Sequence, residues 1–444
     1  MSIPHDPRRP SRRRFAALAV AVGLLVAACG SNGPSLTPSP IATPEPTAAP
    51  SIQPSPSTSG AGASGAPSES TDAIYDTIEK QVQDIRGLQA KKPVPREFIT
   101  TTELKQLLTD QFDTDAPPAY VAGTERLYKA LGLIPADASL KTETLDLLGG
   151  GVVAFYDDEQ GKLYVTSNSG TTGGPEKFYF SHEYDHALQD QNFTVFKDQK
   201  GVLDQTDRIL ARQAIYEGDA TLLMTQWAAS NLTPAELAQV IAMSADPQVQ
   251  SVLANAPKIL SDPLQFPYTT GFGFINQVNG AGGWQAVDGL YANMPTSTEQ
   301  ILHPEKYQAH EAPVAVTLPA DLTTKLGSGW SIGIQDTFGE LQTGIWLKEG
   351  GVPAATADTA AAGWGGDRLA VLNGPNGAWA VVMDYAWDTD ADATEFDTAA
   401  TTALSKAQGS AKVLPGAGGK TRWVVVGSDD ATLSKVTNAL GLAG

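Results

Sequence analysis

The sequence is poor in cysteine and in basic residues, and it has no long apolar run; each shortage excludes a class of protein. Cys29 is the one cysteine in 444 residues, so no disulfide can form within the chain. Lysine and arginine number 30 against 49 acidic residues, which gives a net charge of -19 and no basic footprint for nucleic acid. No apolar stretch reaches the roughly 18–20 residues of a membrane-spanning helix, which excludes a polytopic membrane protein.

Residues 1–28 are typical of an export signal. Five arginines precede a short apolar stretch that runs from residue 15 to residue 28 and ends in small side chains. The segment 26–29, with the sequence VAAC, resembles the lipobox of bacterial lipoproteins, in which the cysteine after the cleavage site carries a lipid. We therefore expect a lipoprotein signal peptide and a protein held at the outer face of the cell membrane through lipidated Cys29. A chance cysteine behind an ordinary signal peptide is the alternative.

The export route is left open by the same segment. Residues 11–15, with the sequence SRRRF, resemble a twin-arginine signal, which implies export after folding. A basic segment that is read by the general secretion route is the other interpretation.

Composition divides the remainder of the chain into three segments. Residues 29–71 are almost entirely serine, proline, threonine, alanine and glycine, and we expect them to form a disordered tether. Residues 72–312 carry apolar side chains at helical spacing, interrupted at 152–167 by a β-hairpin pattern, which predicts a mostly helical domain with a small β-sheet. Residues 313–444 contain no histidine and mix strand and helix patterns, which predicts a small α+β domain. The predicted fold class of the chain is α+β.

Within this last segment the patterns place five elements. They predict a helix near 335–348, a hairpin over 368–387, a helix over 391–406, a strand over 422–427 and a final helix.

Two of the five histidines lie in one heptapeptide, SHEYDHA, at residues 181–187. His182, Glu183 and His186 form the pattern H-E-x-x-H. Residues four apart lie on one face of a helix, so both imidazoles can reach a single metal ion. Glu183 lies to the side, where its carboxylate can accept a proton from an attacking water. A helix with two surface histidines is the alternative interpretation.

A catalytic zinc ion usually has three protein ligands and one open position, so a third ligand is needed. The long motif H-E-x-x-H-x-x-G-x-x-H is excluded because residue 192 is asparagine. We expect a carboxylate from the next long helix, where Glu217 lies in the otherwise apolar segment AIYEGDA. Burying an unpaired glutamate costs several kcal/mol, and a bound metal would remove that cost. An exposed Glu217 at a helix irregularity is the alternative.

The string HEYDHALQDQ at residues 182–191, followed by EGDA at 217–220, resembles a group of bacterial and archaeal zinc metallopeptidases. More broadly, it is similar to the zincins that have a glutamate ligand, the thermolysin-like clan. The resemblance covers most of residues 72–310. It implies a zincin-like metallopeptidase fold with a zinc ion, but it does not imply a particular substrate.

The resemblance also implies a role for each residue of the motif. His182, His186 and Glu217 would bind Zn2+, and Glu183 would be the general base. The hairpin would form the active-site sheet, whose edge strand pairs with an extended substrate. The chain departs from the family at Thr221, because thermolysin-like enzymes have there an aspartate that orients a histidine.

Two further roles have several candidates. Asp219 or Asp190 could orient a histidine ligand in place of the missing aspartate. A hydrogen-bond donor must also face the negative charge that develops on the substrate oxygen, and His303, Tyr268 and Tyr307 are the candidates. For His303, which ends a short helix before a proline, a purely capping role is the alternative.

Together these features predict a lipid-anchored, exported zinc metallopeptidase that acts on a peptide or protein substrate. The alternative is a surface-tethered binding or scaffold lipoprotein in which the zinc site is structural or degenerate. The membrane contact is expected through the lipid on Cys29, and a nucleic-acid partner is not expected.

Overall fold

The computed structural model describes residues 70–149, 153–166, 172–195 and 202–442. The predicted signal peptide, Cys29 and nearly all of the predicted tether lie outside the described residues. Within the described part of the chain, no helix is both long enough and apolar enough to span a membrane.

The first part of the described chain is helical, with three short strands between the helices. Its elements are α1 (Thr71–Arg86), β1 (Arg96–Ile99), α2 (Thr101–Asp115), α3 (Pro118–Ala130), α4 (Leu140–Leu148), β2 (Ala154–Asp157), β3 (Lys162–Thr166), α5 (Gly174–Phe193) and α6 (Thr206–Asn231). Local sequence sets several of these bounds. Thr100 and Glu103 form a reciprocal capping box at the start of α2, and Gly87 ends α1 in the left-handed conformation with φ 76°.

Helices continue after α6 and give way to a second sheet. The helices are α7 (Pro234–Ser244), α8 (Pro247–Asn255), α9 (Lys258–Phe266), α10 (Phe272–Ala292), α11 (Glu299–Leu302), α12 (Pro304–Gln308) and α13 (Leu322–Leu326), with a π-helical turn at Pro267–Gly271 between α9 and α10. The remaining elements are β4 (Ser331–Asp336), α14 (Gly339–Glu349), α15 (Ala354–Ala362), β5 (Trp364–Asn373), β6 (Trp379–Trp387), α16 (Asp390–Ala403), β7 (Ser410–Pro415), β8 (Thr421–Gly427) and α17 (Asp430–Leu440). The predicted α+β class is confirmed.

The small sheet has the strand order β1-β3-β2. Strand β1 runs parallel to β3, and β2 pairs antiparallel with β3 as the hairpin pattern predicts. Strand β2 is therefore an edge strand, and helix α5 packs against it. This arrangement brings the main chain of β2 next to the H-E-x-x-H motif.

Helices α5 and α6 pack against each other in the interior of the molecule. Residues 178–189 of α5 and 214–224 of α6 are all buried, so neither helix has a solvent-facing stripe over these turns. Polar side chains inside such helices need partners, because an unpaired buried charge is strongly unfavourable.

The second sheet is antiparallel throughout, with the order β4-β5-β6-β8-β7. Its core includes side chains from both sides of the predicted boundary after residue 312: Leu127 and Leu131 at the end of α3 belong to the same buried cluster as Val381 and Val424. The boundary between the two domains stays a prediction.

One element of the carboxyl-terminal segment was placed wrongly. Residues 335 and 336, predicted to open a helix, end strand β4, and α14 begins at Gly339. Ile334 and Asp336 are paired with β5, so long-range strand pairing outweighs the helical spacing there.

Candidate metal centre

The two imidazoles and the carboxylate predicted as ligands meet between α5 and α6. His182 Nε2 lies 3.2 Å from Glu217 Oε2, and His186 Nε2 lies 3.3 Å from the same oxygen. The two Nε2 atoms are 3.0 Å apart, with the rings nearly perpendicular at 88°. All three side chains are buried, and Glu217 is 3% exposed. The alternatives of surface histidines and an exposed glutamate are therefore wrong.

The triangle formed by these three atoms has the dimensions of one face of a tetrahedral zinc site. Ligand bonds of about 2.0–2.1 Å in tetrahedral geometry separate neighbouring donor atoms by about 3.3 Å. Two imidazole nitrogens and one carboxylate oxygen are also the donor set of catalytic zinc sites that keep a fourth position open. The residues present fit Zn2+.

The charges of this cluster depend on one another. Burial opposes ionisation of Glu217, but the imidazoles of His186 and His182 outweigh it and lower the pKa of the carboxyl to about 2. Burial also lowers the pKa of His182. Burial opposes protonation of His186 as well, but the carboxylate of Glu217 outweighs it and raises the pKa of His186 to about 10. Without a metal, the buried carboxylate is thus neutralised by a proton on His186, which a metal cation would replace.

Glu183 lies beside the three candidate ligands. A ligand atom of its carboxylate and one from each histidine all lie within 4.8 Å of one another. Oε2 accepts the main-chain N–H of Tyr156 on the edge strand β2 at 2.9 Å, and Oε1 has no hydrogen-bond partner. Burial raises the pKa of Glu183 to about 8. A carboxyl held by one oxygen, with the other unpartnered, suits a group that exchanges a proton.

Gln189 orients His186, a role that the sequence analysis did not assign. Its side-chain nitrogen donates to Asp185 Oδ2 at 2.9 Å and to the main-chain carbonyl of Tyr216 at 3.0 Å. Because the side-chain nitrogen donates both of these hydrogen bonds, the other polar atom of the amide, Oε1, faces His186. Oε1 can only accept, so it accepts from His186 Nδ1, 3.0 Å away. Nδ1 of His186 therefore carries a proton in both charge states of the ring, and in the neutral ring Nε2 is free to bind a metal.

Within the described residues, the two aspartates expected in this orienting role have other partners. Asp219 accepts two hydrogen bonds from Arg86 instead, and Asp190 accepts one from the hydroxyl of Tyr156 at 3.0 Å. The geometry favours Gln189 for this role, and the role expected of Asp219 or Asp190 stays a prediction. The sequence contained a signal for it, since residue 189 follows His186 by one helical turn.

Of the three candidate donors for the substrate oxygen, the structure brings Tyr268 to the cluster. Its ring lies 6.1 Å from the ring of His182, in the π-helical turn that packs on α6. Burial and the nearby carboxylates of Glu217 and Glu183 raise the pKa of Tyr268 well above its ordinary value. The phenol therefore stays protonated and able to donate.

His303 and Tyr307 have their partners elsewhere. His303 Nε2 lies 2.8 Å from a carboxylate oxygen of Glu340, and Nδ1 lies 3.8 Å from Glu305. The hydroxyl of Tyr307 donates to the main-chain carbonyl of Asn293 at 2.8 Å. No contact of the described residues brings His303 to the cluster: the residue ends α11, and its ring is held by Glu340. A catalytic role for His303 stays a prediction.

A second acidic group, formed by Glu299, Glu311 and Asp388, also has its carboxylate oxygens within 4.8 Å of one another. The ammonium of Lys306 lies in this group, at 2.5 Å from Glu299, 2.6 Å from Asp388 and 3.0 Å from Glu311. A protein cation already occupies the position between these carboxylates, so we do not regard them as a metal site.

Comparison with known proteins finds similarity in parts of the chain. A family model described as a domain of unknown function, DUF8575, matches residues 331–439, which is the carboxyl-terminal sheet and its helices. No curated protein matches the chain. A crystal structure of a "putative hydrolase with a novel fold" from Chloroflexus aurantiacus is 19% identical, covers 53% of this chain and 87% of its own, and has a TM-score of 0.34. A similarity of that level supports no argument about fold or function.

Proposed function

We propose that the chain is a zinc-dependent metallopeptidase of the zincin type, held at the cell surface by a lipid on Cys29. The observation that carries the proposal is the triangle of His182 Nε2, His186 Nε2 and Glu217 Oε2, with sides of 3.0, 3.2 and 3.3 Å. Zn2+ held there would act as a Lewis acid on a peptide carbonyl and lower the pKa of a water.

Three side chains around this position have the remaining catalytic and orienting roles. Glu183, with one oxygen held by strand β2 and the other unpartnered, takes a proton from the attacking water and returns it to the leaving amine. Tyr268 donates to the oxygen of the scissile carbonyl as negative charge develops on it. Gln189 keeps His186 in the tautomer that binds metal.

The edge strand β2 gives a reason to expect an extended peptide as substrate. Its outer main-chain edge lies beside Glu183, and an unpaired strand edge recognises extended chains by main-chain hydrogen bonds. The cleaved sequence is not fixed by these contacts, because main-chain recognition does not read side chains.

The test is hydrolysis of fluorogenic peptides by the wild-type protein and by a Glu183→Gln variant. We expect the variant to retain Zn2+ and to lose about 100- to 10,000-fold in kcat, the contribution typical of a general base. A Glu159→Gln variant, which changes an acid in the turn between β2 and β3, is the control and should keep wild-type activity. Undiminished hydrolysis by Glu183→Gln would refute the mechanism.

One observation favours the alternative, a surface-tethered binding or scaffold protein with a structural zinc site. His182, Glu183, His186 and Glu217 are all at most 3% exposed, as closed structural sites are. The same experiment separates the two functions. A structural site predicts bound Zn2+, no hydrolysis by the wild type, and a Glu183→Gln variant indistinguishable from it.

A further inference from the structure

We propose that Arg86 is a positioning residue of the metal centre; the inference rests on the proposed zinc function. Arg86 is the last residue of α1, far from the motif in sequence, yet it joins the two helices that carry the ligands. Its substitution should weaken metal binding although it touches no ligand.

Arg86 is fully enclosed and bound by several groups at once. It is 1% exposed, and its Nε and Nη2 donate to the two carboxylate oxygens of Asp219 at 3.0 and 2.9 Å. Nη1 lies 2.7 Å from Asp288, and Nε lies 3.9 Å from Asp185. The ring of Trp284 covers the guanidinium at 4.6 Å. This bidentate contact with one carboxylate requires the planar guanidinium group of arginine.

The first connection to the metal centre runs through α5. Asp185 precedes His186 in the chain, and its Oδ2 accepts from the side-chain nitrogen of Gln189. Gln189 in turn accepts from His186 Nδ1 at 3.0 Å. Arg86 is therefore coupled to Gln189 through its 3.9 Å ion pair with Asp185, and Gln189 fixes the ring of His186.

The second connection runs through α6. Asp219 lies two residues after Glu217 in the same helix. Arg86 donates to both of its carboxylate oxygens, and the hydroxyl of Tyr291 donates to Oδ2 at 2.5 Å. Asp185 and Asp219 are buried on neighbouring helices, and like charges there repel unless a cation lies between them. The guanidinium supplies that cation and keeps α5 and α6 at the separation that the three ligands require.

The experiment measures Zn2+ affinity of the protein by chelator competition, and the visible absorption of its Co2+ form, for the wild type and three variants. Arg86→Gln removes the cation. Gln189→Met breaks the connection to His186 and leaves Arg86 with its carboxylates. Arg96→Gln is the matched control, because Arg96 is likewise an arginine bound to two carboxylates. Its partners are Asp76 and Glu79 of α1, each at 2.7 Å, and it contacts neither Asp185 nor Asp219.

We expect Arg86→Gln and Gln189→Met to weaken Zn2+ affinity about 10- to 100-fold, the effect typical of groups that orient metal ligands. The Co2+ spectrum should change in both, because the ligand geometry relaxes, while Arg96→Gln should match the wild type in both readouts. Circular dichroism establishes that each variant is folded. If Arg86→Gln does not fold, Arg86→Lys, which keeps the positive charge but cannot bind both oxygens of Asp219, takes its place in both readouts and should also weaken Zn2+ affinity.

The outcomes separate the inference from the function on which it rests. Wild-type protein that binds no Zn2+ refutes the zinc function and the positioning role with it. Wild-type protein that binds Zn2+, together with folded variants of unchanged affinity and unchanged Co2+ spectrum, overturns the positioning role alone and leaves Arg86 a stabilising ion pair.

Discussion

Gly218 lies directly against the main-chain carbonyl of Gly271: a Cβ atom on Gly218 would stand 2.6 Å from that oxygen. A Cβ atom on Gly271 would in turn stand 2.5 Å from the carbonyl oxygen of Ala214. This contact lets the π-helical turn, and Tyr268 with it, pack against the turn of α6 that carries Glu217. Close packing therefore explains why the residue next to Glu217 is a glycine.

A Gly218→Ala substitution should destabilise the protein by about 1–3 kcal/mol, the usual effect of overfilling a packed contact. Urea denaturation measures the change. Gly289→Ala is the matched control, since Gly289 also lies in a helix, α10, but nothing stands within 4 Å of the added methyl. The control should be neutral or gain up to about 1 kcal/mol. Equal stability of the two variants would contradict this account of Gly218.

Tyr268→Phe should lower kcat about 100- to 1,000-fold, the effect of removing one donor to a developing oxyanion. KM and Zn2+ content should change little, because the ring still fills its place beside His182. Tyr307→Phe removes a hydroxyl that donates to the main chain of Asn293, and His303→Gln alters a ring held by Glu340. Both controls should keep kcat. A larger loss in His303→Gln than in Tyr268→Phe would restore His303 as the catalytic donor.

Stability should fall as the pH rises from about 4 to about 8, in part because of Asp207. Burial raises the pKa of Asp207 to about 8, although two hydrogen bonds from Thr298 oppose the shift and Asp367 adds to it. The folded protein therefore binds a proton over this range that the unfolded chain releases near pH 4, and each step upward favours unfolding.

Thermal melts of the wild type and of Asp207→Asn between pH 4 and pH 9 measure this contribution. The variant should lose less stability on going from pH 5 to pH 8 than the wild type does. Asp321→Asn, which changes an exposed carboxylate, should follow the wild type. Parallel melting curves for Asp207→Asn and the wild type at all pH values would contradict the expected shift.

The candidate ligands could be predicted from the sequence because helical geometry ties the spacing of residues to the direction of their side chains. His182 and His186 share a face of α5 by their separation alone, and an acid in an apolar run, Glu217, indicates a buried partner. Gln189 obeys the same rule but carries no motif of its own. The sequence could not choose among His303, Tyr268 and Tyr307, because the choice depends on how the π-helical turn packs on α6.

Features that depend on long-range contacts could not be predicted from the sequence. Arg86 lies in α1 on the same face as the buried Ile78 and Val82, and only the folded chain brings Asp219 to it. Strand β1 is four residues long and was not predicted, because its hydrogen bonds come from parallel pairing with β3. Strand β4 was not predicted either, and its last two residues, 335 and 336, fell within the predicted helix that the structure begins at Gly339.

Zinc content tests the central claim most directly. Elemental analysis of the purified protein, beside a Glu217→Ala variant, should find one zinc per chain in the wild type and none in the variant. The Glu236→Ala variant, which changes a capping carboxylate on α7, should keep its zinc. A wild-type protein that holds no zinc after mild purification, and takes up none on reconstitution, would contradict the metal centre and the function proposed from it.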